Sequence, residues 1–277
     1  MIILTASFFC KCVFRCLCFV SLFFGWLVCV SCPVRAQHQP NVGVNQFPQY
    51  RQLSGLAGGG YGLNFDGRSS LDGPTAFSTP IAYVLGHDEF RLATTSESFN
   101  SAPAFGIGVS NGKALISYGH TFGQFNIMAS DVFKSHDLDQ AYSLQAGIIP
   151  LHHERFGFSI GVQDILGQGG SAGNGLPTDR HSSQSVFAVT TYRIDTQRRP
   201  IYISAGIGTR RFGKSFESAS YQFLKPLRGW VEYDGFGFNE GILLTGHTGR
   251  GRQSLEVNGN IGLIRGRYFT FGGGIGF

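Results

Sequence analysis

The sequence predicts an all-β protein: a transmembrane antiparallel β-barrel of the outer-membrane type, with roughly 12–14 strands. Three observations predict it. The last eleven residues, RYFTFGGGIGF, alternate with period two, so Phe269, Phe271, Ile275 and Phe277 fall on one face. Tyr268, Thr270, Gly272, Gly274 and Gly276 fall on the other, giving one apolar face and one small or polar face. The same pattern recurs along the chain in segments of about nine to eleven residues, the length a tilted membrane-spanning strand needs. Composition agrees: charged residues are 14% of the chain, with 40 glycines and 26 phenylalanines. Ordinary globular proteins carry about 25% charge. Beyond residue 36 no apolar run approaches the ~18 residues of a membrane helix.

Residues 1–36 read as a signal peptide. Lys11 and Arg15 precede an uncharged run from Cys16 to Cys32, and Val34-Arg35-Ala36 offers a cleavage site before Gln37. The run exceeds the ~7–15 residues of an ordinary leader, which leaves an uncleaved anchor as the alternative. All six cysteines lie in this segment, so the mature chain has neither a disulfide framework nor a thiolate metal site. A cysteine-free chain suits passage through an oxidising periplasm. Removing the leader lowers the formal charge from +5 to +2, too little to indicate nucleic acid. Residues 37–70, rich in Gln, Asn, Gly and Pro, are expected to be a flexible lead-in or a plug folded into the lumen. Gly58 to Gly62 (GGGYG) lacks the strand–helix frame and the Lys-Ser/Thr of a phosphate-binding loop.

The barrel is assigned to residues 71–277. Its apolar faces are Phe90-Leu92-Thr94, Phe105-Ile107-Val109, Phe125-Ile127-Ala129, Tyr142-Leu144-Ala146-Ile148 and Phe156-Phe158-Ile160-Val162, followed by Ile201-Ile203-Ala205-Ile207 and Leu255-Val257-Ile261-Leu263. Glycine on the opposite faces would weaken a soluble strand and leaves room in a lumen. The connections alternate between two ends of the barrel. Positions 120–123, 150–155, 195–200, 224–226 and 247–253 are placed on the periplasmic side. Positions 110–112, 133–140, 165–184, 210–215, 234–237 and 265–266 are placed outside. This parsing gives thirteen strands back to Asp88. A further strand within Thr75–Leu85 makes fourteen, and merging a weak pair makes twelve.

No catalytic residue, cofactor or metal site is assigned. Gly108 to Gly112 matches G-x-S-x-G, but a second strand begins at Lys113 and Asn111-Gly112 reads as a hairpin turn. His152-His153-Glu154 is sequential, without a frame to aim two imidazoles together. The informative charges are Arg228, Glu232 and Asp234, which alternate with Leu227, Val231 and Tyr233 and share a face with Trp230. An Arg facing lipid near mid-membrane costs about 2–4 kcal/mol, so this face is assigned to the lumen. There it pairs Arg228 with Glu232 or binds solute. Replacing Glu232 by Gln in a wet lumen is expected to leave folding nearly intact. Arg210, Arg211 and Lys214 form a basic cluster at the outer rim, available to anionic sugars or lipopolysaccharide phosphates, or simply solvated.

Two resemblances add to this. The terminal Phe277 resembles the signal by which outer-membrane barrels engage the barrel-assembly machinery. GPTAFSTPIAYVL (Gly73 to Leu85), FGFSIGVQDILG (Phe156 to Gly167), GIGTRRFGKSF (Gly206 to Phe216) and VEYDGFGFNEGI (Val231 to Ile242) resemble the YjbH-like exopolysaccharide-associated outer-membrane barrels, in that family's order. The likeness implies a non-enzymatic role in exopolysaccharide export at the cell surface, in the bacterial outer membrane. It implies lipid, lipopolysaccharide, polysaccharide and periplasmic export proteins as partners, and no nucleic acid. A general or solute-specific pore is the alternative reading, and a barrel enzyme the third.

Overall fold

The computed structural model describes residues 63, 65–68, 70, 73–97, 113–134, 140–149, 155–166, 184–209, 212, 214–235, 237–248, 255–264, 266 and 268–277. The chain divides into two units, Met1–Val42 and Gly43–Phe277, and every described residue belongs to the second. The leader, GGGYG, the Gly108–Gly112 motif, the Phe105–Val109 segment, His152-His153-Glu154, Arg210 and Arg211 all lie outside the described residues.

Twelve strands form one closed antiparallel barrel, each paired with its sequence neighbours and β1 with β12. They are β1 (Glu89–Glu97), β2 (Lys113–Phe122), β3 (Phe125–Lys134), β4 (Gln140–Ile148), β5 (Phe156–Gln163) and β6 (Ser185–Ile194), then β7 (Ile201–Gly208), β8 (Ser215–Leu224), β9 (Leu227–Tyr233), β10 (Phe238–Thr248), β11 (Leu255–Ile264) and β12 (Tyr268–Gly276). The count lies at the lower end of the expected range. The C-terminal stretch is the closing strand: Arg91 pairs with Gly276 and Glu97 with Thr270. At the seam Phe90 N donates to Phe277 O (2.7 Å), Phe277 N donates back to Phe90 O (3.0 Å), and the two rings stack at 5.9 Å.

Inside and outside follow the period-two reading. Tyr142, Leu144, Ile160, Ile203, Ile242 and Ile261 are exposed on the outer face. Ser117, Asn126, Ser143, Gln145, Ser159 and Asn258 are buried on the inner one. An apolar belt of this extent would drive aggregation in water and matches a hydrocarbon surround, while barrel closure leaves no unpaired edge. The chain is an outer-membrane β-barrel. Among the described residues no helix is long and apolar enough to cross a membrane.

Thr75–Leu85 is not a strand of the wall. Residues 73–86 are buried throughout and lie inside the barrel, with only Ala76 in an isolated bridge. Pro74 and Pro80 have no N–H to give a ladder. The N–H groups of Thr75, Phe77, Ser78, Thr79 and Ala82 go instead to inward-facing side chains of the wall. The wall therefore begins at Glu89, and lumen-filling chain extends into the stretch assigned to the barrel.

The connections fall into the two expected sets by strand parity. With the β9–β10 turn facing outward, a cysteine introduced at Asn174 is expected to react with a membrane-impermeant thiol reagent on intact cells, and one at Thr196 to stay unlabelled. The opposite labelling pattern inverts the barrel.

Candidate functional site

The site is the lumen and the chain folded into it. Gly86 N donates to Gly67 O (3.0 Å), so the segment enters and leaves together. That point lies beside the β2–β3 turn, where His87 N donates to Thr121 Oγ1 and Asn126 Nδ2 donates to Asp66 O and Val84 O. Gly67 adopts φ 91°, which a side chain would strain, and a Cβ there would meet Val84 O at 2.4 Å. From this end the segment runs the length of the barrel. Its tip, Phe77–Thr79, meets Glu232, the penultimate residue of β9, beside the β9–β10 turn at the other end.

Glu232 is the clasp. Its Oε2 accepts from the N–H groups of Phe77 (2.9 Å), Ser78 (3.0 Å) and Thr79 (3.2 Å), and from Thr79 Oγ1 (3.1 Å). Its Oε1 accepts from Ser78 N (2.9 Å), Ser78 Oγ and Asn239 Nδ2 (3.0 Å). Three consecutive backbone N–H groups turned towards one carboxylate make an anion-binding nest, here filled by the wall's own side chain. Glu232 is 1% exposed. A carboxylate so deeply buried needs such donors, because burying it without them would cost several kcal/mol. Its surroundings are the packed segment rather than the wet interior expected from the sequence.

The remaining contacts run down the segment. Arg228 Nη1 donates to Thr75 Oγ1 (3.2 Å) and its Nη2 to Ser70 O (3.2 Å). Thr75 N donates to Ser220 Oγ, Gln145 Nε2 to Ile81 O, and Ala82 N to Thr191 Oγ1. Phe77 stacks on Trp230 at 5.2 Å, and Tyr83 meets Tyr202 edge-on. Ala82 joins an apolar cluster with Phe187, Val189, Phe212 and Phe216. Inward glycines make the approach possible: a Cβ at Gly119 would lie 2.2 Å from Leu85 O, and one at Gly157 would lie 2.7 Å from the Tyr83 ring. The room expected from lumen-side glycine is thus taken by the chain's own segment.

Of the residues singled out in the sequence, Arg228, Glu232 and Asp234 are inward and buried, as period two requires. Arg228 and Glu232 both bond the lumen segment, and Glu232 also accepts from Asn239 of β10. Asp234 accepts from Gly237 N in the β9–β10 turn (3.0 Å) and from Asn239 Nδ2 (3.4 Å), tying that turn to the clasp. Lys214 is exposed just ahead of β8, with its carbonyl bonded to Gly208 N. Sequence reasoning missed Asn239, Ser220, Gln145 and Thr191. Their only signal is inward parity, which dozens of residues share. Gly157, Phe216, Glu232 and Asn239 all lie along the lumen segment. Among the described residues no cluster of His, Cys, Asp and Glu is arranged to hold a metal ion.

At the entry end, Asp88 lies in the turn ahead of β1, outside the wall strands. Its carboxylate accepts from the Tyr118 hydroxyl (2.6 Å) and pairs with His120 Nδ1, and these bonds hold its pKa below the usual carboxylate range. A depressed folded pKa stabilises the fold above the unfolded value, and that contribution is lost as pH falls through the folded one. Wild type is therefore expected to melt above Asp88→Asn at neutral pH. The two melting temperatures should converge on acidification, and a constant gap in a pH series of melting curves would remove Asp88 from the account.

No family model and no curated protein sequence matches the chain. Several solved barrels are similar to it. The KdgM porin in complex with disordered oligogalacturonate is 10% identical over 68% of this chain and 98% of that one, at TM-score 0.46. The Acinetobacter baumannii outer membrane protein Omp33 is 11% identical over 69% and 97%, and an outer membrane channel from Pseudomonas putida F1 is 10% identical over 72% and 96%, both at TM-score 0.38. These are likenesses of one barrel to another.

Proposed function

We propose that the protein is a solute channel of the outer membrane whose lumen is held shut by residues 73–86 of its own chain. The observation that carries the reading is the polar attachment of that segment to the wall, through Glu232, Arg228, Thr191 and Gln145. Polar contacts of this kind can be exchanged for water when a segment moves. A 12-stranded barrel lies between the filled 8-stranded and the aqueous 16-stranded sizes, wide enough to hold a strand-like insert or a file of solute. The role is passage, without chemistry on the solute.

Exopolysaccharide export, with the periplasmic export proteins as partners, is the second reading. It is supported by the four stretches that resemble the YjbH-like barrels, one of which is the lumen segment while the others supply residues along it.

The channel reading is tested in planar bilayers. Wild type should show rare, brief openings. A variant with residues 73–86 replaced by a Gly/Ser linker of equal length should carry steady current. A folded replacement variant that stays as silent as wild type would sink the reading.

A further inference from the structure

We infer that β10 and β11 carry a lumen-side binding track for neutral, hydroxyl-rich solutes, meaning saccharides and polyols. The inference rests on the channel reading. Inward residues of the two strands face one another in register: His247 opposite Glu256, and Thr245 opposite Asn258. Asn260 follows on β11. Arg91 reaches the same level from β1, because Arg91 and Glu256 both pair with Gly276 of β12. Glu256, Arg91, Thr245 and Asn258 are all more than nine-tenths buried.

Their hydrogen bonding contrasts with that of the clasp. Arg91 Nη2 and His247 Nε2 each stand 3.6 Å from Glu256 Oε2, close enough for attraction but too far for a hydrogen bond. Among the described residues, both Glu256 oxygens, Thr245 Oγ1, Asn258 Nδ2, Asn260 Oδ1 and His247 Nε2 have no hydrogen-bond partner. Buried polar groups are paired in the great majority of cases, so a contiguous row of open ones marks a place where water or solute belongs. The lumen segment meets the opposite requirement at Glu232, where every oxygen is satisfied.

The chemistry of the row selects the ligand. It offers an amide donor at Asn258, carboxylate and carbonyl acceptors at Glu256 and Asn260, and a hydroxyl that does both at Thr245. A solute hydroxyl donates once and accepts twice, so it can answer either kind. Arg91 and Glu256 carry opposite formal charges, so the row does not present one sign alone. Successive inward residues on a strand are about 6.8 Å apart, so Glu256, Asn258 and Asn260 form a ladder for an extended chain of hydroxyl-bearing units. On the β12 side their partners are Gly276, Gly274 and Gly272, which put no side chain in its way.

The test is calorimetric titration in detergent of the full-length protein and of its linker-replaced variant, whose lumen the channel reading opens, with binding scored in the variant. Maltotetraose and cellotetraose serve as neutral probes, a hyaluronan tetrasaccharide as the anionic one and a chitosan tetramer as the cationic one. Saturable binding of a neutral probe is expected, weakened at least tenfold in Asn258→Leu/Asn260→Leu and several-fold in the near-isosteric Thr245→Val. Heat-modifiable gel migration confirms that each variant is a folded barrel. Absence of saturable binding with both neutral probes, indifference to the substitutions, or tighter binding of either charged probe would overturn the track. Ionic current through the linker-replaced barrel without saccharide binding would leave the channel standing and remove the track. Saccharide binding without such current would do the reverse.

Discussion

Glu232→Gln is expected to make the closed barrel open more often without dissolving its wall. The two side chains have nearly the same shape, so the change is one of hydrogen-bond sense. Oε2 accepts from three backbone N–H groups and a hydroxyl, and Oε1 from a backbone N–H, a hydroxyl and an amide. Turned towards Phe77 and Thr79, a Gln NH2 would leave both of their N–H groups without an acceptor. Turned towards Asn239, it faces Ser78 N, which keeps the other oxygen, and an amide that also reaches Ser78 Oγ and Asp234, so the second orientation is the one expected. The bonds that remain are neutral where they were charge-assisted, a difference of about 1 kcal/mol for a single bond, so the closed arrangement loses roughly 1 kcal/mol or more. At about 1.4 kcal/mol per tenfold, that shifts the balance between seated and unseated segment by about fivefold or more. The wall is untouched, because the backbone of Glu232 pairs with Ser218 and Asn239 and neither pairing involves its side chain. Single-channel recording should show open probability rising by that order, with unchanged heat-modifiable migration. Arg228→Gln removes one hydrogen bond each to Thr75 and Ser70 and is expected to act in the same direction more weakly. Wild-type gating in Glu232→Gln would mean that the segment is held elsewhere.

The wall was legible in the sequence because a barrel strand has one face in lipid and one inside, and period two records that directly. Phe156-Phe158-Ile160 and Tyr142-Leu144 fall on the predicted face, and Phe277 lies in the closing seam. Arg228, Glu232 and Asp234 were legible as inward for the same reason: the cost of turning them to lipid is larger than any loop preference. What those residues hold was not legible. The segment 73–86 has no periodicity, since its N–H groups are satisfied one by one by side chains from β6, β8 and β9, about 110 to 155 residues away in sequence. Such pairings leave no local trace. Its run of small and β-branched residues looks like a strand because it must lie flat against a wall, and the inward glycines that admit it look like ordinary lumen spacers. The open row on β10 and β11 was equally hidden, because Thr245, Asn258 and Asn260 are the residues any wet lumen would carry.

The outer face yields the second large effect, and the register decides where to place it. Ile160 stands in the middle of β5, 53% exposed, with Ala146 and Ala188 beside it on the neighbouring strands. An Arg at that position meets only hydrocarbon and alanine, and should cost about 2–4 kcal/mol of folding stability. Val231 also faces outward, yet it lies two residues from the end of β9, where the penalty falls towards about 0–1 kcal/mol. Its partner on β10 is Glu240, on the same face. An Arg at 231 would find that carboxylate directly across the pair, and opposite charges so placed stabilise a sheet by about 0.2–1 kcal/mol. Urea titration of the refolded barrel in lipid vesicles should therefore show a large loss for Ile160→Arg and little for Val231→Arg. Adding Glu240→Gln to Val231→Arg should uncover a cost that the single variant hides. Equal losses for the two Arg variants would mean that Glu240 and the strand end do not set the depth as the register places them.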